Sequence, residues 1–295
     1  MRVHDDAPPA GSGPPDSGPP ALRIALGGQL RRLREAAGIS REAAAGTLRT
    51  SPARIDGLEL GRELGRGGFT TRDVDDLLTR YGVADDRYRA LARRATEPDW
   101  WQSYHDLLPG WAETYVGLEQ AASRIRTYEV QFVPGLLQTA DHARAVIRLV
   151  YDHAPEVERR VELRMRRQAL LTAPGAPALH AVVDEGALRR TVGGPAVARA
   201  QLDHLLALSE LPHVRLQVAP FHFGGHAAAG GPFTILGFTE PDLADLVYLE
   251  QLTSALYLDA PSDVAHYERV MDRLCTQVEP VGRTGAILAS IRAEL

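Results

Sequence analysis

Two short helical segments meeting at a tight turn constrain this sequence most. Ser40 is a good helix N-cap, and the residues after it predict a helix over Arg41–Leu48. Arg49-Thr50 makes the turn. Ser51 caps a second helix whose first position is Pro52, where a missing N–H costs little, and which runs on to Glu59. Ala44, Leu48, Ile55 and Leu58 are expected to fill the contact between these helices and the one before them. Two short helices joined this way form the unit that lays its second helix in the major groove of DNA.

The flanking pattern is helical as well. Leu26, Leu30 and Leu33 recur at i, i+4, i+7, and Val74, Leu77, Leu78 and Tyr81 at i, i+3, i+4, i+7. Thr70-Thr71-Arg72-Asp73 has capping-box spacing, and Gly82 ends that helix. Residues 21–96 therefore predict an all-α domain. Residues 1–20 hold six Pro and three Gly and are expected to be a disordered tail. After Thr96-Glu97-Pro98 the composition changes, with all three Trp between Trp100 and Trp111. Strands are expected over Thr127–Val133, Ala178–Asp184, Val214–Ala219, Phe233–Phe238 and Leu246–Glu250, with helical patterns among and after them. Residues 97–295 thus predict a mixed α/β domain, and the chain is α+β overall.

Net charge is −5 over 295 residues, and all 33 basic residues are Arg. The total conceals a division. Residues 22–95 carry 15 Arg against 10 acidic residues, whereas residues 96–295 carry 17 against 25. A small basic helical domain precedes a larger acidic one. The one cysteine, Cys275, excludes an internal disulfide or a multi-cysteine zinc site and suits a reducing compartment. The stretch Leu216–Thr239 lacks charge but contains five Gly and two Pro, so no membrane span is expected. These features predict a cytoplasmic protein without cofactor or metal.

The run Leu26-Gly27-Gly28-Gln29-Leu30-Arg31-Arg32-Leu33 on to Ser40, continued by Ser51 to Glu59 and Gly61-Arg62, resembles the lambda-repressor-like (XRE) helix-turn-helix domains. The resemblance implies a five-helix domain over residues 21–96 and double-stranded operator DNA as partner. It places Arg41, Pro52, Ala53, Arg54 and Asp56 toward the groove, with Arg41 and Arg54 the strong donors. Arg31, Arg32, Arg49 and Arg62 are better placed for phosphates, and Ser51 is expected at the DNA as well. The family usually has Gly in the turn; here it is Arg49. The loop Gly61–Phe69 is longer than usual, and Gly46 and Gly57 sit inside the helices, each at a cost of about 1 kcal/mol.

Trp111 to Ala122, Tyr128 to Thr139, Val183 to Arg190, Gly230 to Thr234 and Val247 to Glu250 together resemble the region that follows the helix-turn-helix in WhiJ-type actinobacterial regulators. That resemblance implies an antitoxin-like, nucleoid-associated transcriptional regulator with a small BldB-like partner protein. It implies no enzymatic reaction. A homodimer is expected from two-fold operators, and the second domain is expected to bind a partner or a small-molecule effector. Its most site-like segment is the Gly-rich loop Phe221–Gly231, with His222 and His226. Glu185 and Glu250 end two predicted strands, and with His226 they would be the groups for any acid–base chemistry. The alternatives are that Glu185 caps the next helix and that Glu250 pairs with Arg189 or Arg190. The Arg- and Glu-rich run from Glu156 to Arg167 predicts a solvated, self-paired helix face.

Overall fold

A computed structural model of the chain describes residues 19–61, 70–96, 100–239 and 243–295. The Pro/Gly-rich stretch 1–18, and residues 62–69 with Arg62, lie outside the described residues. Five helices build the amino-terminal part: α1 (Pro19–Ala36), α2 (Arg41–Leu48), α3 (Pro52–Glu59), α4 (Thr71–Arg80) and α5 (Asp86–Ala95). Helix α1 begins two residues inside the stretch expected to be tail. The α4 capping box is reciprocal: Thr70 Oγ1 accepts from the Asp73 N–H at 3.3 Å, and Asp73 accepts from the Thr70 N–H at 2.7 Å. The apolar stripes converge on one core of Leu26, Leu30, Ala44, Ile55, Leu58, Val74, Leu77 and Leu78, with Leu48 half-buried beside it. Helix α1 lies hard against α3, since a Cβ on Gly27 would sit 2.4 Å from the Leu58 carbonyl oxygen.

The larger part runs α6 (Gly110–Ala121), β1 (Arg124–Glu129), α7 (Ala140–Ile147), α8 (Ala154–Gln168), β2 (Ala178–Asp184), α9 (Glu185–Arg189), α10 (Pro195–Leu208), β3 (Val214–Ala219), β4 (Phe233–Gly237), β5 (Leu246–Glu250), β6 (Ala255–Leu258), α11 (Pro261–Gln277) and α12 (Val281–Glu294). One mixed six-stranded sheet has the order β3-β2-β1-β4-β5-β6. Strands β1, β2 and β3 are parallel, joined through helices; β4, β5 and β6 extend the sheet antiparallel.

Alternation along the strands sends Ile125, Leu179, Leu216 and Leu236 to a face covered by α6, α10 and α12. It sends Tyr128, Val182, Phe233 and Val247 to a face covered by α11 through Met271 and Leu274. Two expectations shift. The first strand begins at Arg124 and ends at Glu129, because Pro134 leads into a one-turn 3-10 segment, Gly135–Leu137, and Thr139 then caps α7. A sixth strand, Ala255–Leu258, is added at the edge.

The two parts share a contact. Ala25 of α1 is buried in the same apolar cluster as Leu118, Ala121 and Ala122 of α6, with Ile24 packed beside it. Among the described residues, no helix is long and apolar enough to cross a membrane.

Candidate nucleic-acid interface

Both helices of the pair start on serine. Ser40 Oγ accepts from the Ala43 N–H at 3.2 Å, and Ser51 Oγ accepts from the Arg54 N–H at 3.3 Å, with Pro52 in the first turn of α3. The turn between them closes with Thr50 N–H on the Ala45 carbonyl at 3.0 Å. Such a closure demands a left-handed residue. Arg49 supplies it at φ 52°, and among the described residues no other non-glycine has positive φ. The departure from the family's usual glycine is thus taken up as backbone strain rather than by a different turn.

With Ile55 and Leu58 buried, α3 turns Ser51, Pro52, Ala53 and Arg54 outward, exposed, and leaves Asp56 half-buried. Arg31, Arg32 and Arg49 are exposed as well, and Arg31 bonds Glu35 at 3.0 Å. This Arg31 hydrogen bond is the main reason that the Glu35 carboxyl titrates below its ordinary range. Arg41 does not stand alone. Its guanidinium bonds Asp56 at 3.0 Å and Glu59 at 3.3 Å, so two expected groove-facing residues, Arg41 and Asp56, hold each other.

Sequence reasoning missed the pair that braces this surface. Arg34 and Glu59, 6% and 5% exposed, form a two-pronged ion pair at 2.5 and 3.0 Å, and Arg34 also donates to the Ile39 carbonyl at 3.0 Å. The hydrogen bond to Glu59 is the leading cause of the raised Arg34 pKa, ahead of opposing desolvation. The signal was available. Arg34 continues the buried stripe Leu26, Leu30 at the next i+4 position, and Glu59 follows Ile55 by four. Opposite charges on two buried stripes require each other.

The structure separates the candidate groups of the larger part. Glu185 accepts from Arg189 at 2.5 Å and from the Phe221 N–H at 2.8 Å, and Arg189 also bonds Glu294 at 2.6 Å. Asp184, not Glu185, caps α9. His222 is exposed, 3.7 Å from Glu279. His226 meets the Tyr128 hydroxyl at 2.9 Å and its ring stacks on Phe223, which fastens the Gly-rich loop to the α11 face of the sheet. Glu250 instead accepts from the Tyr248 hydroxyl at 3.0 Å, and Tyr248 stacks on Tyr115 at 4.1 Å on the α6 face. The sheet therefore stands between His226 and Glu250, and Glu250 pairs with neither Arg189 nor Arg190.

The α8 face also differs from expectation. Arg160 pairs with Glu156 at 2.8 Å as predicted. Arg167 turns inward onto Glu119, which is 1% exposed, at 2.7 and 2.8 Å, and Arg164 bonds Gln138 at 2.9 Å. Burial pushes the nearby Glu129 carboxyl up to about 8, with Glu250 adding to the rise and Arg164 opposing it. Of the Trp trio, Trp101 is buried with Tyr104, Leu107, Val116 and Leu163, and Trp111 packs on the main apolar cluster.

Comparison with known proteins matches residues 25–101 to a Helix-turn-helix domain and residues 112–290 to a Domain of unknown function (DUF5753). No curated protein and no solved structure matches the chain. The first match covers all of the α2–turn–α3 unit, and the second takes in the whole six-stranded sheet. The chain belongs to the DUF5753 family, and its helix-turn-helix domain marks it as a DNA-binding regulator.

Proposed function

We propose that the protein is a sequence-specific transcriptional regulator of XRE type that reads its operator with α3. The observation that carries this reading is the exposed face of α3, Ser51 to Arg54, held in place by the buried Arg34–Glu59 pair. Arg54 reads bases, because an arginine on guanine O6 and N7 is the commonest specific contact. Arg31, Arg32, Arg49 and Ser51 bind phosphates, with the N-terminus of α3 adding its partial positive charge. Arg41 exchanges its acidic partners for DNA on binding. Two-fold operators make a homodimer the working assembly. By its resemblance to the WhiJ-type regulators, the DUF5753 region is the antitoxin-like part that binds a BldB-like protein or a small effector, in a cytoplasmic, nucleoid-associated protein.

Gel shifts on the protein's own promoter region test the assignment. Arg54→Ala weakens specific binding by about 1–3 kcal/mol and leaves non-specific binding nearly intact. Arg32→Ala weakens both. Unchanged site preference in Arg54→Ala removes that residue from the reading role.

A second reading has one observation in its favour. The Arg41–Asp56 contact places a carboxylate on the exposed side of α3, as an adaptor with vestigial DNA binding would tolerate. Co-purification of a small partner without any operator DNA would select it.

A further inference from the structure

A groove of about 790 Å³ runs between α7 and the segment leading into α10, a size suited to a small ligand. Arg144, Arg148, Arg189 and Arg190 line it beside Leu149 and Val197. Two of the arginines are committed elsewhere: Arg144 to Asp141 and Glu158, and Arg189 to Glu185 and Glu294. Arg148 and Arg190 are exposed and make no ion pair within 4 Å among the described residues. Arg148 does lie in the field of Glu158, and Asp141 also lines the groove, but four guanidinium groups against that one lining carboxylate leave a net positive groove that calls for an anion.

The local backbone adds to this. Gly193 and Gly194 lead into α10 at φ 80° and 94°, and a Cβ on Gly193 would lie 2.9 Å from that of Ala145. The first turn of α10 is therefore held directly against α7. It has no side-chain cap, so its N–H groups and partial positive charge serve the same groove.

A third observation lies behind Arg190, which lines both the groove and a small cavity containing His142 and Gln201. His142 is 2% exposed, and neither ring nitrogen has a hydrogen-bond partner. Gln201 is already used, donating to the Leu137 carbonyl and accepting from the Thr139 N–H, each at 2.7 Å. A buried imidazole in this state is costly until a polar group reaches it. The apolar wall completes the chemistry: Leu149, just beyond α7, lines the groove with Val197 and is 63% exposed.

We propose that this groove binds a small amphipathic anion, a phosphate or carboxylate joined to an apolar body. Arg148, Arg190 and the first turn of α10 hold the oxyanion. Leu149 and Val197 take the apolar body, and a polar atom reaching past Arg190 completes His142. The proposal rests on reading the DUF5753 region as the effector-binding part, and it gives that effector a chemical class.

Calorimetric titration of the full chain with octyl phosphate, octanoate and inorganic phosphate tests it. At least one octyl compound is expected to bind about tenfold more tightly than inorganic phosphate, and the tighter of the two identifies the oxyanion. The double variant Arg148→Gln/Arg190→Gln should weaken that binding at least about tenfold, as loss of charge-assisted hydrogen bonds predicts. Arg54→Gln, on the DNA-binding surface, should leave it unchanged. Absence of octyl-compound binding, wild-type affinity in the double variant, or loss in Arg54→Gln instead would overturn the site. Operator binding measured without ligand reports separately on the DNA-binding reading.

Discussion

Arg49 carries a conformation that glycine adopts freely. A left-handed L-residue costs about 1–2 kcal/mol, so Arg49→Gly should stabilise the helical domain by about 1 kcal/mol in urea unfolding while weakening DNA binding through a lost phosphate contact. Glu59 presents the opposite case. Glu59→Ala leaves Arg34 buried without its partner and should cost about 3–5 kcal/mol in the same measurement. Replacing both residues with apolar ones should recover most of that loss. The outward placement of Arg54 on α3 was legible in the sequence, because caps and apolar spacing orient a short helix. The brace behind them was legible only to a reader who asked why Arg34 and Glu59 fall on stripes otherwise apolar. The acidic partners of Arg41 were not, since no spacing rule joins residues on different helices.

Among the elements, those with strong local signals match the sequence. The α4 capping box, the Ser40 and Ser51 caps and strands β2, β3 and β5 fall where pattern places them. Strand β6 has four residues at the sheet edge, with Leu256 exposed and only moderate burial elsewhere, so alternation had little to act on. Helix α8 misled for another reason. Helical spacing pairs Arg with Glu along the surface, yet Arg167 finds its carboxylate, Glu119, on α6.

This interior gives a pH prediction. Glu129 titrates near 8 in the fold against an ordinary value of 4.5, so the folded state holds the extra proton between those values. Stability from this group is greatest below about pH 4.5 and declines as pH rises toward 8. His142 works in the other direction. Burial, with Arg164 nearby, lowers it to about 4, so its contribution grows as pH rises from 4 to 6.5. Urea midpoints measured from acid to mild alkali should show Glu129→Gln flattening the decline and His142→Gln flattening the acid rise. An unchanged profile in either variant would remove that group from the account.

For the whole molecule, the contact between Ala25 and α6 joins the helical part to the sheet. Helix α1 packs on α3 through Gly27 and on α6 through Ile24 and Ala25, so one helix touches both the proposed recognition helix and the larger domain. Ala25→Glu buries an unpaired carboxylate there. It should enlarge the radius of gyration in small-angle scattering while helical content is retained. Unchanged dimensions would show that this contact does not hold the two parts together. The charge division belongs to the same scale, with 15 Arg against 10 acids on residues 22–95 and 17 against 25 beyond. An acidic body beside a basic reader should suppress non-specific binding and make affinity fall steeply with salt.

Selection of bound sequences from a random duplex library is the decisive test of base reading by Arg54 on α3. One strongly enriched motif is expected with the wild-type protein, and its loss or relaxation with Arg54→Ala. No enrichment above the starting library, or the same motif at the same affinity in Arg54→Ala, would contradict it.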